Sequence, residues 1–166
     1  MNAPIDLLSD TRQVTVTVNG KQQSLEVEGR TTLADMLRQE CRTPGVRVGC
    51  EHGVCGSCTI LFDGEPMRAC LMLAVQADGH EIKTIESMAD GDKLHAIQEA
   101  FSEEHGLQCG FCTAGIILSV SELLERCPQP SDEQIYEVLG GHLCRCTGYQ
   151  QILQSVRLAA DMLVDK

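Results

Sequence analysis

The first half of the chain alternates apolar and polar residues with the period of a β-strand. Residues 14–18 read Val-Thr-Val-Thr-Val, and Asn19-Gly20 follows them, a pair that is typical of tight hairpin turns. The same kind of pattern predicts further strands at residues 25–27, 59–62 and 80–85. This half is therefore predicted to form a mixed sheet.

One short helix and one long loop are predicted between these strands. Thr32 is placed to cap a helix that presents Leu33, Met36 and Leu37 at helical spacing. Residues 41–58 are rich in Gly and Cys, a composition that is typical of a loop. The first half thus combines a sheet, a helix and a loop that contains most of its cysteines.

The apolar period changes to that of an α-helix near residue 86. Asp92 is available to cap the first predicted helix, and Ser131 with Gln134 forms a capping box for the third. Four helices are predicted at residues 94–101, 116–124, 131–139 and 149–163. Together they predict a small four-helix bundle.

The sequence therefore predicts an α+β chain of two domains. We expect an N-terminal tail over residues 1–11, a sheet domain over 12–87 and a helical domain over 88–166. Hydrophobic residues make up 43% of the 166 residues but aromatic residues only 3%, so each domain would have a thin core. Domains of this size gain stability from a cross-link or a metal centre.

Charge and apolar run length argue against two classes of partner. With a net charge of −11, the chain has no basic stripe that could neutralise phosphates, which argues against nucleic acid. No window of 18 apolar residues predicts a transmembrane helix, and residues 1–13 do not resemble a secretory signal. We therefore expect a cytoplasmic chain with no membrane contact, in which ten cysteines indicate metal binding rather than disulfides.

Four cysteines of the first half have the spacing of a plant-type [2Fe–2S] site. Cys50-x4-Cys55-x2-Cys58 lies in the predicted loop, and Cys70 follows after eleven residues. Three ligands on one loop can wrap a cluster from one side, while the fourth closes it from elsewhere in the fold. A structural zinc site is the alternative, but such sites prefer two separated pairs to a close triplet.

Four cysteines of the second half form two pairs joined by a long insert. Thirty-one residues separate Cys109-x2-Cys112 from Cys144-x-Cys146. By spacing alone, this set fits a zinc site as well as an iron–sulfur cluster.

Both cysteine motifs resemble those of the molybdenum hydroxylases, the xanthine oxidase family. Residues 49–59 read Gly-Cys-Glu-His-Gly-Val-Cys-Gly-Ser-Cys-Thr, which resembles the first cluster motif of that family. Residues 108–113 (Gln-Cys-Gly-Phe-Cys-Thr) and 143–149 (Leu-Cys-Arg-Cys-Thr-Gly-Tyr) resemble its second cluster motif. The resemblance extends over residues 12–163, and the chain is similar to the separate small iron–sulfur subunit of bacterial members.

The resemblance implies a fold, cofactors and partners. A β-grasp ferredoxin-like domain would hold one [2Fe–2S] cluster, and a helical domain would hold the other. Such subunits lie between a large subunit that binds molybdopterin, expected here as the cytosine dinucleotide, and a medium subunit that binds FAD, in a dimer of heterotrimers. Electrons from hydroxylation of a substrate C–H bond, with water as the oxygen source, would pass from molybdenum through the helical domain and the ferredoxin-like domain to FAD.

The same resemblance implies roles for individual residues. Gln108 would hydrogen-bond the pterin, and Cys146 would approach it. No catalytic residue is expected in this chain itself. The implied cluster ligands are Cys50, Cys55, Cys58 and Cys70 for one cluster, and Cys109, Cys112, Cys144 and Cys146 for the other.

Two positions depart from the family pattern. Ala114 stands where many members have Pro, which should loosen a helix start slightly. His142 stands where many have Asn, which should alter a local hydrogen bond. Cys41 and Cys127 lie outside both motifs and are interpreted as small, partly buried thiols.

Two further functions remain open at the level of sequence. A free-standing ferredoxin with two clusters would use the same eight thiols, and a zinc-stabilised interaction module would use them for structure. Within the family, residues 51–54 and 71–74 favour a complex that acts on an N-heteroaromatic compound such as a quinoline.

Overall fold

The structure, a computed structural model, describes residues 10–164, and within them the chain forms five strands and five α-helices. The strands are β1 (Thr11–Val18), β2 (Lys21–Glu28), β3 (Thr59–Phe62), β4 (Glu65–Arg68) and β5 (Glu81–Lys83). The helices are α1 (Leu33–Gln39), α2 (Ala96–Glu103), α3 (Thr113–Arg126), α4 (Asp132–Gly140) and α5 (Gln150–Val164). Short 3₁₀ turns lie at Ala69–Leu71, Ala74–Ala77 and Ile85–Ser87.

The strands form one mixed sheet in the order β2-β1-β5-β3-β4. β1 and β2 are antiparallel and join at Asn19-Gly20, whose positive φ angles of 51° and 75° suit a tight hairpin. β5 pairs parallel to β1 and antiparallel to β3, so it lies between the two hairpins. The predicted strands and the predicted turn are confirmed.

Helix α1 covers one face of this sheet. The Thr32 side chain caps it by accepting a hydrogen bond from the Asp35 amide at 3.1 Å, as the sequence predicts. Its residues Leu33, Met36 and Leu37 are fully buried with the inward side chains of β1. Full burial of each such side chain stabilises the fold by about 1.5–3 kcal/mol.

Helices α2 to α5 build the second core, with α2 packed on α5 and α3 on α4. The apolar stripes predicted from the sequence supply its buried residues, among them Phe101, Ile116, Leu123, Ile135 and Ile152. The predicted capping box of α4 is confirmed, because Ser131 and Gln134 exchange side-chain and backbone hydrogen bonds.

Two predicted helix starts are wrong. α2 begins at Ala96 and its N-cap is His95, whose ring accepts from the Ile97 amide at 3.3 Å; Asp92 is not the cap, and Leu94 lies outside the helix. The reason is that Asp90 and Lys93 pair their backbones in a turn that delays the helix. Tyr149 also precedes its helix, because its φ of 69° is left-handed.

The two halves pack directly on each other, with α3 lying against β3. Gly115 permits this contact, since a Cβ atom there would collide with the carbonyl oxygen of Gly56. Between residues 10–84 and 88–164, one backbone–backbone hydrogen bond crosses from half to half, from the Leu143 amide to the Cys55 carbonyl at 3.0 Å. No helix in the described part of the chain is long and apolar enough to cross a membrane.

Candidate metal centres

The first set of cysteines is assembled by one loop and one hairpin. Cys50, Cys55 and Cys58 lie on the loop before β3, and Cys70 lies in the 3₁₀ turn after β4. The β3–β4 hairpin brings its ends together, and the Ala69 amide donates to the Cys58 carbonyl at 3.2 Å. The thiols of Cys58 and Cys70 are therefore neighbours although eleven residues separate them.

The loop turns its amides towards Cys50. The amide of Cys55 lies 3.4 Å from the Cys50 sulfur, and it lowers the pKa of that thiol to about 6, assisted by the amides of His52 and Val54. Left-handed conformations at Glu51 (φ 57°) and Gly53 (φ 83°) produce the turn. The loop thus stabilises a thiolate, the form of cysteine that binds metal.

Gly56 occupies the point where this loop touches the second half. Its φ of 76° favours glycine, and a Cβ atom there would lie 2.6 Å from the Gly141 carbonyl oxygen and against the His142 ring. Only glycine fits both constraints at this point of contact.

The second set of cysteines is assembled by two helix ends. Cys109 and Cys112 lie at the start of α3, where Cys112 is the N-cap, and Cys144 and Cys146 follow the end of α4. The sulfurs of Cys146 and Cys109 are 3.4 Å apart. Cys112 and Cys144 also interact through their thiols. Folding of the helices therefore unites cysteines that are more than thirty residues apart.

Hydrogen bonds hold the turn that contains Cys144. Its sulfur lies 3.1 Å from the Thr147 hydroxyl; although burial acts to raise the pKa of this thiol, Thr147 and the Cys146 amide together lower it. The Tyr149 hydroxyl accepts from the Cys144 amide at 2.8 Å and donates to the His142 carbonyl at 3.0 Å. Tyr149, which precedes α5 and packs against the helical core, thus also belongs to the site.

Each set contains a partly or fully exposed thiol of lowered pKa and a buried thiol of raised pKa. Burial raises the pKa of Cys58 to about 11 and that of Cys112 to about 12. The Phe111 amide and the Cys146 thiol lower the pKa of Cys109, as backbone amides do for Cys50. The accessible thiols deprotonate first, and a bound cation must supply the driving force for deprotonation of the buried ones.

The thiols of both sets are grouped two by two. The groups are Cys50 with Cys55 and Cys58 with Cys70 in the first set, and Cys109 with Cys146 and Cys112 with Cys144 in the second. A [2Fe–2S] cluster takes two thiolates on each of two irons, so this donor set fits such a cluster. Within residues 10–164, no three His, Cys, Asp or Glu side chains converge as ligands of one metal ion.

His142 lies between the two sets and is 2% exposed. Its Nε2 and the Ser119 hydroxyl are 2.9 Å apart, while no hydrogen bond reaches its Nδ1. Burial, with a smaller effect of the Arg68 charge, lowers the pKa of His142 to about 4, so the ring is neutral at pH 7. At this position His142 thus forms a buried hydrogen bond with Ser119.

Gln108, Cys146 and Ala114 are the remaining positions that the sequence singles out. Gln108 and Cys146 are exposed beside Cys109, at an edge that also exposes Leu107 and Phe111. Ala114 is the second residue of α3, which forms without the Pro.

Cys41 and Cys127 are half-buried outside both sets, as predicted. Burial raises the pKa of Cys41 to about 11, and the Cys127 sulfur lies 3.7 Å from the Gln134 side-chain oxygen.

Several residues at the centres are not evident from sequence reasoning. Arg68 donates to Thr59 and to Gly141, and Ser119 contacts His142, yet neither Arg68 nor Ser119 lies in a cysteine motif. The register of β3 and β4, which places Thr59 opposite Arg68, is the signal that could have indicated the first of these contacts.

Comparison with known proteins identifies the family. The model of the 2Fe-2S iron–sulfur cluster binding domain matches residues 16–84, and that of the [2Fe-2S] binding domain matches residues 84–157. The nicotine 6-hydroxylase small subunit of Paenarthrobacter nicotinovorans is 51% identical over 158 residues, covering 95% of each chain. The caffeine dehydrogenase subunit gamma of Pseudomonas sp. (strain CBB1) is 53% identical over 147 residues, covering 87% of this chain and 88% of that one.

A solved structure gives the same result. Quinoline 2-oxidoreductase from Pseudomonas putida 86 superposes with a TM-score of 0.90 at 46% identity, covering 95% of this chain and 98% of the matched chain. With two cluster-binding domains and relatives of this similarity, the chain belongs to the iron–sulfur subunits of the molybdenum hydroxylases, the xanthine oxidase family, and is a component of an oxidoreductase.

Proposed function

We propose that this chain relays electrons between a molybdopterin centre and FAD, both held by partner subunits. Its ligands would be Cys50, Cys55, Cys58 and Cys70 for one [2Fe–2S] cluster and Cys109, Cys112, Cys144 and Cys146 for the other. Each cluster, when bound, supplies one-electron redox chemistry. The protein's own part is to hold the thiolates, donate amide hydrogen bonds and keep the two centres at a fixed separation.

The observation that carries this proposal is the direct connection between the two sets of thiols. The Leu143 amide, next to Cys144, donates to the carbonyl of Cys55 itself at 3.0 Å. One hydrogen bond and a few covalent bonds thus link a proposed ligand of one cluster to a proposed ligand of the other. A relay requires such a short connection, whereas two independent structural sites do not.

The exposed surfaces support a direction for the relay. Leu107, Phe111 and Leu143, which flank the cysteines of the second set in the chain, are 40%, 41% and 55% exposed and give this edge apolar surface suited to a partner. We assign this edge to the large subunit, where Gln108 and Cys146 would contact the molybdopterin, in its cytosine dinucleotide form.

A second apolar area lies near the first set of thiols. Val54, Leu71 and Leu73 are 57%, 61% and 42% exposed. We assign this area to the medium FAD-binding subunit, in a dimer of heterotrimers. Electrons would then enter at the helical half and leave at the sheet half.

The fold supports the same assignment in finer detail. The sheet order with α1 on one face is compatible with a β-grasp ferredoxin-like domain over residues 12–87, and α2 to α5 with a four-helix bundle over residues 88–166. For the substrate, we propose an N-heteroaromatic compound. Nicotine, caffeine and quinoline, which appear in the names of the similar proteins, all contain a nitrogen heteroaromatic ring.

The proposal is tested on the native complex, purified through a tag on this chain. We expect about four iron and four sulfide per chain with two distinct EPR signals after partial reduction. Molybdenum and FAD should be present in the same preparation. Stoichiometric zinc without an EPR signal would contradict the relay in favour of a zinc-stabilised module. Two clusters without partner subunits would contradict the subunit role in favour of a free-standing ferredoxin.

A further inference from the structure

Arg68, at the end of β4, connects the loops of both proposed cluster sites. One nitrogen of its guanidinium, Nη2, donates to the Gly141 carbonyl at 2.6 Å, in the segment that leads to Cys144. The other, Nη1, donates to the Thr59 hydroxyl at 2.5 Å, next to Cys58. The side chain is half-buried, so these contacts are partly shielded from water.

Thr59 extends the connection into the first cysteine loop. Its hydroxyl accepts from Arg68 and donates its own proton to the Gly56 carbonyl at 2.6 Å. Thr59 is 1% exposed and faces Arg68 in the register of the β3–β4 hairpin. A continuous chain of hydrogen bonds therefore runs from the Gly56 carbonyl through Thr59 and Arg68 to the Gly141 carbonyl.

The charge of Arg68 is well placed at the second end of this chain. Gly141 is the C-cap of α4, and the carbonyl end of a helix attracts a cation. A planar guanidinium can address two acceptors at once with fixed geometry, which an ammonium group cannot. Arginine therefore suits this position, because its two acceptors, the Thr59 hydroxyl and the Gly141 carbonyl, lie in different halves of the protein.

The hydrogen bond from Leu143 to Cys55 lies between these two ends. Gly56 follows Cys55, and Leu143 comes two residues after Gly141, so Arg68 fixes the backbone on both sides of that bond. The buried contact of His142 with Ser119 holds the same segment from the side of α3. Without the guanidinium, the two loops would be held by a single backbone hydrogen bond and by packing.

We propose that Arg68 is a positioning residue for electron transfer between the two clusters. It holds the loops of Cys55 and Cys144 at the separation that the Leu143 hydrogen bond requires. The proposal rests on the relay function proposed above. Because electron tunnelling weakens steeply with distance, small displacements of these loops should slow transfer between the clusters without removing either one.

The test compares Arg68→Lys and Arg68→Gln with the wild-type complex. Arg68→Lys keeps the positive charge but replaces the planar fork of donors by one rotatable ammonium group, and Arg68→Gln removes the charge as well. Arg157→Gln is the matched control, because Arg157 pairs with Asp132 on exposed helix surfaces away from both loops. The readouts are iron content, the midpoint potentials, the magnetic splitting between the two reduced clusters in low-temperature EPR, and the rate of transfer between clusters by rapid freeze-quench.

We expect both Arg68 variants to retain two clusters and to lose the wild-type magnetic splitting. Electron transfer between the clusters should be at least about tenfold slower, a loss of the kind that small misplacements cause in active sites. Arg68→Lys should keep the wild-type potentials, which separates positioning from charge. Arg157→Gln should match the wild type in every readout.

If Arg68→Lys kept the wild-type magnetic splitting and the wild-type transfer rate, the positioning role would be overturned. Loss of a cluster from Arg68→Lys would overturn it as well, because Arg68 would then serve folding alone. Fewer than two iron–sulfur signals in the wild type would instead overturn the relay function.

Discussion

The two proposed cluster sites contain the same four thiols each, but their chain segments meet by different routes. In the sheet half, Cys50, Cys55, Cys58 and Cys70 lie within one stretch of twenty-one residues, and a loop with left-handed turns shapes the site locally. In the helical half, Cys109 and Cys112 meet Cys144 and Cys146 only after α3 and α4 have packed. The geometry of the first site therefore depends mainly on the conformation of one loop, whereas that of the second depends on the packing of two helices.

The two sites also differ in the exposure of their thiols. Cys58 and Cys70 are 1% and 8% exposed and belong to the apolar core of the sheet half. Cys109 and Cys146 are exposed at an edge of the helical half. Cys112, which is 6% exposed, likewise belongs to the core of the helical half, so each site is tied to the stability of its own half. The second site differs in that it also presents two exposed thiols to whatever docks beside it.

Removal of single thiols should give the largest effects and should separate the two sites. We expect Cys58→Ser to lose the first cluster and Cys146→Ser to lose the second, so that iron falls from about four to about two per chain in each. Because Cys58 is buried in the core, its variant should also accumulate less protein. Iron analysis and EPR measure both effects.

Cys41→Ser is the control for these variants, since Cys41 is a half-buried thiol outside both sets. It should retain both signals. If Cys41→Ser lost iron while Cys58→Ser kept it, the assignment of ligands would be wrong.

Substitution at the contact between the halves should have the next largest effect. In Gly115→Ala, the new Cβ would collide with the Gly56 carbonyl oxygen, which is backbone and cannot move cheaply. We expect destabilisation of about 3 kcal/mol, at the upper end of what overpacking costs. We expect this destabilisation to lower the temperature at which the visible absorption of the clusters disappears.

Gly140→Ala is the matched control, because a Cβ atom at Gly140 meets nothing within 4 Å. That variant should be neutral or slightly stabilised. Equal stability of the two variants would mean that the halves do not depend on their close contact.

Loss of the Ser119 hydroxyl, which is hydrogen-bonded to His142, should lower the stability of the protein by a smaller amount. Ser119→Ala would remove the hydrogen bond that the Ser119 hydroxyl makes with the buried His142 ring, which typically costs about 1–2 kcal/mol. Ser121→Ala is the control, since Ser121 is equally buried but bonds a carbonyl of its own helix. A larger loss of thermal stability in Ser121→Ala than in Ser119→Ala would contradict this account of His142.

Removal of one helix cap in each half should give the smallest effects. Thr32→Ala removes the cap of α1, and Ser131→Ala that of α4, each at a cost of about 1 kcal/mol. Because α3 packs on β3, we expect both clusters to be lost together in each variant, about 2–4 °C below the wild type. Loss of one EPR signal at a lower temperature than the other would mean that the halves unfold independently.

Local patterns in the sequence were enough to predict most of the fold. The alternation at 14–18, the Asn19-Gly20 turn, the Thr32 cap and the capping box at Ser131 depend on neighbours in the chain, and all are confirmed. The predicted Asp92 cap is wrong because the backbones of Asp90 and Lys93 close a turn there. This turn moves the start of α2 to the residue after His95.

The contacts between the halves were beyond prediction from the sequence. Gly115 reads as an ordinary small residue in a helix, and Arg68 as a surface charge on an edge strand. Their roles appear only when α3 lies on β3 and the end of α4 reaches β4. Spacing indicated the eight cysteines, but nothing in their spacing indicates how the two sets are joined.

The unequal exposure of the two sites also bears on how the protein is matured. Once the sheet half has folded, Cys58 and Cys70 are enclosed, so iron and sulfide must reach them before or during folding. In the second site Cys112 alone is buried to this degree, whereas Cys109 and Cys146 are exposed, so a smaller local opening of the fold admits a cluster there afterwards. A time course of iron incorporation during synthesis should therefore show the EPR signal of the first cluster before that of the second. Docking of the partner subunit should end the period in which the second site can be filled.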